Sequence, residues 1–118
     1  YGGQTIQKGN WQKLLTFLNA LHTDHLVLEL AHRPKADLDA LKHIDKKITL
    51  GVGVIDIKVN HIETADEVAA RIEAVEKKVG PDRVRWVHPD CGFWMLKRSI
   101  ADRKMEALVR GRDLYLGR

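Results

Sequence analysis

A single cysteine, Cys91, stands among the 118 residues, in the stretch Arg85-Trp86-Val87-His88-Pro89-Asp90-Cys91-Gly92. One thiol cannot close an intramolecular disulfide, so it is a small buried hydrophobe, a reactive group or a metal ligand, and its surroundings must decide. Glu29 and Asp56 are carboxylates set in otherwise apolar runs, and His88 and Asp90 lie just before Cys91. A thiolate and a carboxylate, with an imidazole beside them, form an acceptable tetrahedral donor set for zinc. Spacing alone does not select that chemistry: the 61 residues between Glu29 and Cys91 match no local zinc motif, and there is no Cys-x-x-Cys pair. His22, His25, His32 and His43 read as ordinary polar residues, whereas His61 and His88 are better placed for a site.

The elements that must position these groups follow from hydrophobic periodicity. Tyr1 to Lys8 is polar and glycine-rich and reads as a loop. Asn10 caps a helix in which Trp11, Leu14, Leu15, Leu18 and Leu21 recur at helical spacing. His25-Leu26-Val27-Leu28-Glu29-Leu30 is a strand-length apolar run broken only by Glu29, as in a strand covered on both faces. Arg33-Pro34 opens a short helix with Leu38, Leu41 and Ile44 facing inward, since proline suits a first turn.

Ile48 to Ile57 is a second strand, rich in β-branched residues and interrupted by Gly51 and Gly53, where a backbone or ligand can approach closely. Thr64-Ala65-Asp66-Glu67 is a capping box, and its helix continues through Val68, Ile72, Val75 and Val79 until Gly80-Pro81 stops it. Val84 to His88 is a third strand, and Ser99 caps a last helix carrying Ala101, Met105, Leu108 and Val109. Strict alternation of helix and strand predicts an α/β fold of βα units with parallel strands, because crossovers are right-handed. Ligands in such folds gather at the carboxyl ends of the strands. Glu29, Asp56 and the group His88, Asp90 and Cys91 each fall near one of the three strand ends, so a shared site at that edge is expected.

Composition bounds the partners. The chain is one domain at most, and 44% apolar residues suffice for a core built on Val, Ile, Leu and Ala. The net charge of +4 lies entirely between Lys97 and Arg118, as expected for a solvated face on the last helix. That segment carries no recognisable nucleic-acid motif, and no apolar run of the sequence approaches the ~18 residues needed to span a bilayer, so neither a nucleic acid nor a membrane is an expected partner. A reducing compartment, the cytoplasm, is the expected location.

The stretch Gly51-Val52-Gly53-Val54-Ile55-Asp56-Ile57-Lys58-Val59-Asn60, then Glu63-Thr64 with its capped helix, then Val87-His88-Pro89-Asp90-Cys91-Gly92, closely resembles the C-terminal part of the cobalamin-independent methionine synthase family. Val27-Leu28-Glu29-Leu30 is similar to the strand before it, so the resemblance covers nearly the whole chain. It implies that residues 1–118 are one segment, without a second domain, from the C-terminal part of a (β/α)8 TIM barrel. By position, Cys91 and Glu29 are implied zinc ligands, with Asp56, His88 and Asp90 at the substrate pocket. The implied reaction activates the thiol of homocysteine for methyl transfer to give methionine.

Two departures from the family pattern bear on that expectation. The other zinc ligands of these enzymes, a His-x-Cys pair, would lie immediately upstream of Tyr1, so the chain alone is expected to hold zinc poorly and not to turn over. Lys58, the candidate catalytic residue, stands where the long folate-using synthases have a histidine implied in proton transfer, which points away from folate as methyl donor and towards the short, single-barrel relatives. Three strands are about three-eighths of a barrel. Self-association or pairing with the remainder of a barrel is therefore expected. Two other readings stay open: a non-catalytic fragment or interaction module with Cys91 simply packed, and a zinc enzyme acting on another thiol such as coenzyme M.

Overall fold

The computed structural model of the chain describes residues 9–118. The loop expected over Tyr1 to Lys8 lies outside them. Asn10 accepts a hydrogen bond from the Lys13 N–H (3.1 Å) and starts a 3-10 turn, Trp11–Leu14, that runs into α1, Leu15–Ala20. One continuous helix was expected here. The tighter first turn rotates Leu14 outward, to 44% exposure, while Leu15 and Leu18 enter the core. Trp11 anchors this turn, donating from its indole to the Glu29 carbonyl (3.4 Å) and lying under the Arg33 guanidinium.

The remaining elements are β1 (His25–Leu28), α2 (Lys35–Leu41), β2 (Thr49–Ile55), α3 (Ala65–Val79), β3 (Val84–Pro89) and α4 (Arg98–Tyr115). The strands form one parallel sheet in the order β1-β2-β3, so each crossover helix is followed by the neighbouring strand. Leu26, Leu28, Leu50, Val52 and Val54 pack with Leu41, Ile44, Val68, Ile72 and Val75 into one core. Thr64 and Glu67 cap α3 reciprocally as expected, and Gly80 ends it at φ 93°, a conformation that suits a residue without a Cβ.

Three local expectations need correction. β1 is not covered on both faces: Leu26 and Leu28 are buried against the helices, but Val27 is 62% exposed. On that face His25 meets Trp86, their rings tilted at 50° with centroids 4.8 Å apart. Pro34 stands just before α2 rather than within its first turn. Lys97, not Ser99, precedes α4, and the buried stripe of that helix is Lys104, Ala107, Leu108 and Gly111. Met105 and Val109 are exposed instead. The helix axis passes so close to α3 that a Cβ on Gly111 would overlap the Val68 side chain, and this contact fixes which stripe turns inward.

Candidate active site

β1 and β2 end two residues earlier than the apolar runs suggest, and β3 one residue later, which leaves Glu29 and Asp56 just beyond β1 and β2 and Asp90 and Cys91 just beyond β3. All four therefore sit on loops at the carboxyl edge of the sheet, where side chains can turn toward one another.

Asp90 does most to assemble that edge. Its N–H donates to the Ile55 carbonyl (2.9 Å), which ties it to β2. Its carboxylate reaches across to the chain leaving β1: Oδ1 accepts from the N–H groups of Leu30 (2.9 Å) and Ala31 (3.0 Å), and Oδ2 accepts from His32 (2.8 Å). Burial pushes the Asp90 carboxyl above its usual range, the three amides pull it back only in part, and the nearby charge of Glu29 adds to the rise. Gly53 makes this approach possible, because a Cβ there would overlap Asp90 Oδ1.

Glu29 is held by two cations. Arg33 donates to Oε1 from Nε (3.0 Å) and from a terminal nitrogen (2.6 Å), and Lys58 Nζ lies 3.6 Å from Oε2. Asp56 accepts from the Lys58 N–H (2.8 Å) and faces His32 Nδ1 at 3.3 Å. Its peptide is fixed from both sides: the Asp56 N–H donates to Glu63 (2.8 Å), and Lys104 Nζ donates to the Asp56 carbonyl (2.8 Å). Lys104 and Glu63 also pair at 2.8 Å, with both side chains fully buried. Burial pushes the Glu63 carboxyl up, but hydrogen bonds from Lys104 and the Asp56 N–H outweigh it and leave the group below its ordinary value. Arg71 completes this cluster by donating to the Val54 carbonyl and to Glu63.

His88 turns onto the face of the sheet beside Gly51, with Nδ1 2.7 Å from the Pro89 carbonyl and a buried Nε2 that has no hydrogen-bond partner among the described residues. Cys91 is exposed. His61, expected near the site, instead bonds Glu67 at the start of α3. Among the described residues no group of three His, Cys, Asp or Glu side chains is placed to hold a metal ion. Glu29 and Cys91 are the right donor types for zinc, so these residues fit such an ion as part of a donor set and not as a complete one.

Reading the strand ends alone missed His32, Arg33, Arg71 and Lys104. Lys104 had a signal: it occupies an inward position three and four residues from Ala101 and Leu108, where a lysine needs a buried partner. Arg33, four residues after Glu29, had the spacing of an ion pair but no helix to suggest the contact.

The model of the cobalamin-independent synthase catalytic domain matches residues 8–111. A methionine synthase of Thermococcus kodakarensis is 33% identical over 112 residues, covering 95% of this chain and 33% of that protein. One from Saccharolobus islandicus is 34% identical over 103 residues, covering 87% of this chain and 31% of its own length. A solved B12-independent methionine synthase from a Shewanella species, in complex with selenomethionine, superposes with a TM-score of 0.78 at 27% identity, covering 91% of this chain and 30% of that one. The chain thus spans about a third of the length of the curated relatives it matches. With a match over nearly all its length and the same parallel βα architecture, the chain belongs to the cobalamin-independent methionine synthase family.

Proposed function

We propose that this chain is one segment, residues 1–118, of a methionine-synthase-type barrel, and that it contributes Glu29 and Cys91 to a zinc site where homocysteine is methylated to methionine. The observation that supports this most is the bonding of Asp90. Cys91 follows it directly, Glu29 directly precedes the amides it binds, and the two donors therefore share one edge of the sheet. The family relatives are methionine synthases, which supports the same reaction class. Zinc, when bound, would lower the pKa of a ligated thiol so that it reacts as a thiolate near neutral pH.

The chain's own residues would prepare that edge. Arg33 and Lys58 hold the Glu29 carboxylate in place. Asp56 and His88 would contact substrate. Lys58 is engaged by Glu29, so proton delivery to a departing methyl donor would require that pair to open, which favours a donor other than folate. The remaining zinc donors would come from outside residues 9–118.

Competition with a chromophoric chelator tests the donor assignment. The isolated chain should take up zinc only weakly, and Cys91→Ser and Glu29→Gln should each weaken that uptake further. One zinc per chain at sub-micromolar affinity would overturn the need for outside donors, and uptake indifferent to Cys91 would overturn its role as a ligand. Given homocysteine and a methyl donor, the chain alone should form no methionine.

A further inference from the structure

Strands β1 and β3 do not touch, because β2 lies between them and strands in a sheet are spaced roughly 4.8 Å apart. Their ends would ordinarily be positioned independently, each through its own ladder to β2. The ladder between β2 and β3 is also irregular here, with a register shift between Gly53 and Ile55 at the level of the site. Asp90 removes that independence by binding β2 with its amide and the exit of β1 with its carboxylate. Three successive N–H groups converge on one carboxylate, an arrangement that suits a negative charge and holds it in one place.

From this we infer that Asp90 and Gly53 form a latch that sets the spacing of Glu29 and Cys91, Asp90 acting as a positioning residue rather than as a substrate contact. Both carboxylate oxygens are occupied by backbone amides, which leaves Asp90 poorly placed to bind a ligand. Gly53 is the necessary counterpart: any side chain at that position would occupy the space of Asp90 Oδ1 and come within 3.1 Å of its Cα. The inference deepens the donor-pair reading of the preceding section and rests on it. It adds that the pair depends on a contact made by neither donor.

The test uses the 118-residue chain, labelled with 15N, and the variants Asp90→Ala, Asp90→Asn and Gly53→Ala. Amide hydrogen exchange reads the latch without any metal. Asp90→Ala and Gly53→Ala should speed exchange at Leu30, Ala31 and His32 by about tenfold or more, while amides in the middle of β2 stay protected. Asp90→Asn keeps an acceptor for Leu30 and Ala31 but turns an NH2 toward His32, so it should restore protection at the first two only. Unchanged exchange in Asp90→Ala and Gly53→Ala would overturn the latch.

Excess Co2+ reads the consequence through its thiolate charge-transfer absorption. In the unaltered chain the band should depend on Cys91, and Glu29→Gln should weaken Co2+ binding. In the Asp90→Ala background Cys91 should still give the band, but Glu29→Gln should no longer matter, so the coupling between the donors vanishes. A band absent from the unaltered chain would overturn the donor pair itself. A coupling that survives Asp90→Ala would leave the pair standing and overturn the latch as its cause.

Discussion

Six of the seven residues of β2 are buried, whereas Val27 in β1 is 62% exposed and Arg85 and Trp86 in β3 are exposed. Residue type accounts for Arg85, but Val27 is as apolar as the valines of β2, so its exposure comes from its neighbours. β2 has a strand on each side and helices on its outer face, while β1 and β3 each have one outer edge without a further strand among the described residues. The site follows the same division. The groups anchored to β2, namely the Asp56 peptide, Glu63 and Lys104, are buried and fully partnered, whereas Cys91, at the far side, is exposed. The described residues thus form a closed centre with more open flanks, and Glu29 and Cys91, the proposed zinc donors, lie towards those flanks.

Breaking the centre should have the largest effect. Lys104→Ala leaves the buried Glu63 carboxylate with only the more distant Arg71 (3.3 Å) and the Asp56 carbonyl without its Lys104 donor, and should cost about 3 kcal/mol by urea denaturation. Replacing Lys104 and Glu63 together with Met and Leu should recover part of that loss, because no lone carboxylate then remains buried, while the Asp56 peptide still lacks both partners. A loss from Lys104→Ala of no more than a surface substitution would mean that the centre is not tightly closed.

Acid should probe the same contrast more mildly. Glu63 has a folded pKa below its ordinary value of 4.5, so the stability it adds is present above that value and is lost as pH falls through the folded one. Thermal midpoints of the unaltered chain and of Glu63→Gln should therefore converge at the acid end of a titration. Curves that stay parallel throughout would show that the Lys104–Glu63 pair does not set the acid response.

The flanks should give the smallest effect in dilute solution. Val27→Thr should change stability by about 0.5 kcal/mol or less, since its side chain is largely exposed, and Trp86→Thr by about 1 kcal/mol, since half of its ring system is covered and it meets His25. If the open edges pair between copies, the thermal midpoint should instead rise with protein concentration, and both substitutions should lower it most at high concentration. A midpoint independent of concentration would leave the flanks without a partner among copies of this chain.

Much of the fold was legible because its signals are local. The apolar run through Leu28, the β-branched run ending at Ile55 and the capping box at Thr64 each specify an element through neighbours a few residues away. The same runs brought Glu29, Asp56 and Asp90 to one edge, since βα alternation alone fixes which strand ends face the same way. Side-chain partners were not legible, because those that matter span long separations. Asp90 binds amides 58 to 60 residues earlier, and Lys104 meets Glu63 across 41. Exposure of Val27 was not legible either, for an apolar run reads the same whether or not another layer covers it.

By itself, then, the sequence determined the order and parallel sense of the strands, the edge on which the chemistry sits and the family to which its motifs are similar. These follow from periodicity, capping and the handedness of crossovers, all set within tens of residues. Only the tertiary structure decided that Asp90 is spent on the backbone beyond β1, that Gly53 gives it room, that Lys104 turns inward to Glu63 and that Arg33 and Lys58 share Glu29. Those outcomes depend on which groups meet when the sheet and helices close on one another, and on the cost of leaving a buried charge or amide without a partner.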